Sequence, residues 1–163
     1  MKERSVVSIL SAILMVATLF TTGVTRAGRV PIREQVSVSK AVVAAKIATL
    51  NQLEKINAEL ASTNEMLSSE EVEKIAQCIS NPKWACIDYL QDLVAQELPG
   101  SEKAEILNAY VEVYQTLVLL YVATLGITPE GVLTTPSEYL TNFYEVTVMF
   151  VEAVKHLDDL IGL

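Results

Sequence analysis

The sequence predicts an all-α protein: an up-down bundle of four to five helices behind a signal peptide, with one disulfide. Three observations carry that expectation. Apolar residues recur at steps of three and four over long stretches. All five prolines, and four of the glycines beyond the N-terminal segment, fall at the edges of those stretches. No stretch alternates apolar and polar residues for long; Val36-Ser37-Val38-Ser39 does so over four residues and leads directly into the first helix.

Residues 1–27 have the three parts of a secretory signal peptide. Lys2 and Arg4 form a basic start, Val6 to Phe20 an apolar run, and small residues lead to a cleavage site after Ala27, or after Gly23. The apolar run is shorter than the ~20 residues that span a membrane, which favours export over an uncleaved anchor. The remainder, residues 28–163, reads as a single helical domain. Loss of Lys2, Arg4, Arg26 and Glu3 takes the formal charge from −8 to −10. From Ala104 onward Lys155 is the only Lys or Arg. Such a surface repels nucleic acid and anionic lipid headgroups.

The first helix is expected from Ile32 to Ala61, with Val43, Ile47, Leu50, Leu53, Ile56 and Leu60 as its core stripe. Ser68-Ser69-Glu70-Glu71 is a capping box that opens a second helix near residues 70–80, with Val72, Ile75, Ala76 and Ile79 on one side. Asn81-Pro82 breaks it and is expected to restart a third helix, with Asn81 as N-cap and Pro82 as first residue. That helix carries Leu90, Leu93 and Val94 and stops at Pro99-Gly100. Ser101 caps a fourth helix, with Glu102 and Glu105 at the positive end of its dipole, ending near Gly126. Thr135-Pro136-Ser137-Glu138 opens the fifth, which runs to about Ile161 around a core stripe of Phe143, Val146, Phe150, Val154, Leu157 and Ile161.

Cys78 and Cys86 are the only cysteines. Zinc requires about four ligands, and a redox pair requires Cys-x-x-Cys; neither pattern is present. An exported chain with a helix break between two cysteines points to a structural disulfide, the alternative being two reduced, buried thiols. The only histidine, His156, shares a helix face with Glu152 and Asp159, a spacing that could hold a cation or orient a base. That face lies almost opposite the core stripe, so solvation is expected of it and no metal, cofactor or catalytic role is assigned. Trp84 sits in the break, and the tyrosines are placed as core and rim packing.

The fourth helix is the anomaly. Asn108, Glu112 and Gln115 form a polar stripe that continues, by helical steps, into Leu119, Val122 and Gly126. Residues 117–127 have no polar face at all, and Val148 and Met149 flank the polar stripe of the fifth helix. An all-round apolar helix is central to a bundle, covered by a partner, or in a membrane. Glu112, Gln115, Glu145, Glu152, Lys155 and His156 weigh against the membrane. Leu119, Val122, Val148 and Met149 are therefore the candidate interface, for a protein partner or for self-association.

The stretch CISNPKWACIDYL (residues 78–90) with PEGV (129–132) resembles exported immunity proteins that neutralise secreted antibacterial effectors, small helical domains with a short-spaced cysteine pair followed by a tyrosine, here Cys78, Cys86 and Tyr89. That resemblance implies an inhibitory binding protein. The residues themselves support an exported, non-catalytic binding or assembly module acting through apolar helix surfaces. A carrier of a small hydrophobic ligand between the fourth and fifth helices and a subunit of an extracellular filament are the competing readings.

Overall fold

A computed structural model describes residues 32–162; the expected signal peptide lies outside the described residues. The fold is all-α with one disulfide. Its elements are α1 (Ile32–Ala61), α2 (Ser69–Ser80), α3 (Trp84–Ala95), α4 (Glu102–Thr124), the two-residue strands β1 (Ile127–Thr128) and β2 (Gly131–Val132), and α5 (Pro136–Leu160).

Three helix starts follow from their capping residues. Ser68 Oγ accepts from the Glu71 amide at 3.1 Å while the Ser68 amide donates to the Glu71 carboxylate at 2.9 Å, closing the capping box of α2. Ser101 Oγ accepts from the Ala104 amide at 3.2 Å, and Thr135 Oγ1 from the Glu138 amide at 3.2 Å with Pro136 in the first turn. Each cap is worth about 1 kcal/mol, because it satisfies an amide that the helix itself leaves unpaired.

The break between α2 and α3 differs from expectation. Asn81 ends α2, its amide donating to the Gln77 carbonyl, and the N-cap of α3 is Lys83 with no side-chain capping bond. Pro82 lies buried in the link and is not the first helical residue. The Lys83 amide finds a different acceptor, the hydroxyl of Tyr114 on α4 at 3.2 Å. A tertiary partner thus takes the amide that a local cap was expected to hold.

The other unexpected element is the antiparallel pair β1–β2, joined by Pro129-Glu130. Thr128 Oγ1 donates to the Gly131 carbonyl at 3.0 Å and accepts from the Glu130 amide at 3.2 Å, which closes the turn; Gly131 takes φ 139°, a conformation that favours glycine. Strands of two residues are too short to show alternation in sequence.

α4 packs against α1, α3 and α5 and so runs through the middle of the helices. By length and composition α4 could cross a membrane, but 67% of its apolar span is buried inside the fold. Leu117, Val118, Leu120 and Ala123 have no exposure. On α5 all six expected core residues, Phe143, Val146, Phe150, Val154, Leu157 and Ile161, are buried.

On α1 half of the expected stripe is misplaced. Leu53, Ile56 and Leu60 are buried, but Val43 is 55% and Ile47 54% exposed, and Leu50 is only partly covered. The side of α1 that is buried carries Val38, Ala41, Val42, Ala45 and Ala48 instead. The reason is spacing: three successive steps of three, from Ile47 through Leu50 and Leu53 to Ile56, each turn the stripe by about 60° around the helix, so its two halves lie on opposite sides. α4 brings fully buried Tyr110, Tyr114 and Leu117 to the core, and the Tyr110 hydroxyl donates to the Thr49 carbonyl of α1 at 3.0 Å.

Candidate functional site

The outward stripe of α1 leads into an open groove of about 510 Å³ between α1 and α2. Leu50, Leu53, Glu54, Asn57, Ala58 and Ala61 line it from α1, Met66 from the connecting loop, and Val72 and Ala76 from α2. Ile47 and Val43 lie one and two turns before Leu50 on the same helix face, so apolar surface continues beyond the groove.

Both ends of the groove are held. At the loop end, Asn57 Oδ1 accepts from the Leu67 amide at 2.9 Å, and the Glu65 amide donates to the Leu60 carbonyl at 2.9 Å. Asn64 makes the reversal at φ 59°, a left-handed position that asparagine tolerates. Leu67 is buried while its neighbour Met66 stays exposed over the groove. At the other end, Cys78 and Cys86 are disulfide-bonded, tying α2 to α3. The Tyr114 hydroxyl donates to the Cys78 carbonyl at 2.9 Å, and Lys46 Nζ donates to the Ser80 carbonyl at 3.0 Å. The disulfide encloses a short loop, for which chain entropy gives about 2–3 kcal/mol. The α2 wall is therefore anchored to both α1 and α4.

The electrostatics of this region are one-sided. Between residues 51 and 80 stand Glu54, Glu59, Glu65, Glu70, Glu71 and Glu73 against Lys55 and Lys74. Both lysines point elsewhere: Lys55 Nζ is 3.8 Å from Asp158 Oδ1 on α5, and Lys74 Nζ lies 4.0 Å from the centre of the Tyr89 ring on α3. The Tyr89 hydroxyl is held above its usual pKa, first by burial and then by the charges of Glu71 and Glu70. The groove itself has a largely apolar lining, with Glu54 as the charged group on its wall.

The sequence-predicted residues are placed as follows. Leu119 and Val122 are partly buried, and Leu119 packs against the core. Val148 is 37% and Met149 46% exposed on α5. His156 Nδ1 lies 3.4 Å from Glu112 Oε2, between α5 and α4, with both side chains largely in water. Thr124 and Tyr139 meet further along, the tyrosine hydroxyl donating to the carbonyl at 3.0 Å, so α4 and α5 run antiparallel. Two turns from the Glu112–His156 contact, this register brings Leu119 and Met149 to the same side of the seam. Glu152 and Asp159 are exposed. Among the described residues no group of three or more His, Cys, Asp or Glu is placed to hold a metal ion.

Sequence reasoning missed a buried polar pair as well as the groove. Asp158, next to the exposed Asp159, is buried and accepts from Gln52 Nε2 of α1 at 2.8 Å. A helical signal for it existed: Asp158 lies four residues from Val154 and three from Ile161, at the edge of the core stripe. Gln52 lies four residues from both Ala48 and Ile56. The pair fixes α1 against the C-terminal end of α5. Comparison with protein-family models, curated proteins and solved structures finds no match to this chain.

Proposed function

We propose that this chain is a non-catalytic helical binding module, exported from the cell, that presents the outward face of α1 and the α1–α2 groove to a partner. Export through residues 1–27 and an up-down arrangement of the helices belong to the same reading. One observation carries it: Val43 and Ile47 are more than half exposed on a helix whose other side is fully packed, and they lead into an apolar groove with fixed walls. Contiguous exposed apolar surface on a folded domain marks a place of contact. The intramolecular disulfide is consistent with an extracellular or periplasmic setting.

Placing the contact on α1 moves it from where the apolar run of α4 first pointed. Much of that run is already used in packing against α1, α3 and α5. The open form of the groove favours a macromolecular partner over a small hydrophobic guest held between helices 4 and 5. A photo-crosslinking residue at position 47, compared with the same residue at exposed position 137, tests the reading in cells that make the protein. Protein adducts formed from position 47 and not from 137 support it. Equal yields, or none from either, end it.

A further inference from the structure

We propose that the occupant of the groove is an amphipathic basic helix of another protein, laid along Val43, Ile47 and Leu50 with a Lys or Arg paired to Glu54. The proposal rests on the groove being the binding surface and names the chemistry that fills it. Its first ground is spacing. Val43, Ile47, Leu50 and Glu54 follow one another at four, three and four residues, and Lys40, Asn57 and Ala61 continue the same alternation on either side. That is the seam of a heptad repeat, which presents a continuous stripe to a second helix.

The second ground is the position of Glu54, which disfavours a copy of the same helix in the two registers that would align the stripe. In a parallel pair Glu54 would face Glu54 of the copy. In an antiparallel pair meeting at Ile47 and Leu50, Glu54 would face Val43 and Lys40 would face Asn57. Either arrangement leaves a carboxylate without a cation in a drying interface, which is costly. A foreign helix with a basic residue at that level removes the cost.

The third ground is the field. Glu54 is the charged residue among those that line the groove, and the cations near it are engaged elsewhere, Lys55 with Asp158 and Lys46 with the Ser80 carbonyl and the Tyr121 ring, so the groove is left to attract positive charge. Complementary potentials of this kind speed association and select against acidic partners.

The test uses the full-chain protein and two labelled helical peptides of about three heptads, with the same leucine and isoleucine seam. One carries lysine at the flanking positions and the other glutamate. Fluorescence anisotropy should show the lysine peptide binding at least about tenfold more tightly than the glutamate peptide, with the difference shrinking at high salt. Ile47→Ser should lower that affinity by about tenfold or more, and Glu54→Lys should reverse the preference between the peptides. Both substitutions are at positions outside the packed core, and circular dichroism checks that helix content is retained. Equal affinity for the two peptides, or no change with Glu54→Lys, overturns the proposal. So does a dimer in light scattering that Ile47→Ser dissociates, since the occupant is then a second copy. If neither peptide binds while position 47 still crosslinks to a protein, the contact surface stands and the basic-helix assignment falls.

Discussion

α4 and α1 are both long and apolar on more than one side, but they meet opposite ends. α4 packs against α1, α3 and α5, and its apolar residues lose their exposure on nearly every side. α1 buries the side that carries Val38, Ala41, Val42, Ala45, Ala48, Leu53, Ile56 and Leu60, while Val43 and Ile47 on its other side face outward. The difference teaches that a helix with two apolar sides buries only the one for which the fold supplies a neighbour. The surplus apolar stripe then becomes available surface.

The largest expected effect comes from removing matched atoms on the two helices. Leu120→Ala on α4 empties a fully buried site and should cost about 2–5 kcal/mol. Ile47→Ala on α1 should change stability by no more than ~0.5 kcal/mol, since its side chain is already in water. Urea unfolding of both variants measures the contrast. Similar losses would mean that the outward face of α1 is covered by the chain itself.

Next in size is Tyr114, which joins α4 to the stapled bend. Tyr114→Phe leaves the Cys78 carbonyl and the Lys83 amide without this partner and should cost about 1–2 kcal/mol at neutral pH. Its pH dependence has a defined sign. Burial raises the hydroxyl pKa of Tyr114, against a lowering hydrogen bond from the Lys83 backbone, and raises that of Tyr110 further, with the nearby Tyr114 adding to it. The unfolded chain therefore loses these protons first, near pH 10.0. Their contribution to stability is complete below that pH and declines as pH rises toward the folded values. Tyr114→Phe should make the alkaline decline shallower, as read from melting temperatures between neutral and alkaline pH. An unchanged slope would assign the decline to Tyr110 and other groups.

The smallest effect is expected on the far face of α5. Glu152, His156 and Asp159 are exposed, and the His156–Glu112 contact joins two hydrated side chains. Replacing all three by alanine should leave the melting temperature nearly unchanged, each position contributing no more than ~0.5 kcal/mol. A clear loss would show that the α4–α5 seam depends on that contact more than its exposure implies.

Much of the fold was legible because its signals are local. The capping box at Ser68 and Glu71, the serine at 101 and the threonine–proline pair at 135–136 each act within one turn of helix. The α5 core stripe was legible for a related reason: one face of that helix carries large apolar residues and the opposite one carries charges. Of the candidate site little was legible. Val43 and Ile47 fit a core stripe as well as an outer seam, and periodicity alone cannot say which of two apolar faces of a helix is covered.

By itself the sequence determined where α2, α4 and α5 start, which residues of α5 face inward, and that two cysteines lie across a short break. Those outcomes depend on hydrogen bonds and side-chain spacing within a few residues. Only the tertiary structure decided that Lys83 would be met by Tyr114, that Asp158 would be paired with Gln52, and that Val42 and Ala45 of α1 would be buried while Val43 and Ile47 stay exposed. Each depends on the volume and donors brought by an element distant in the chain, and no local pattern encodes what arrives opposite.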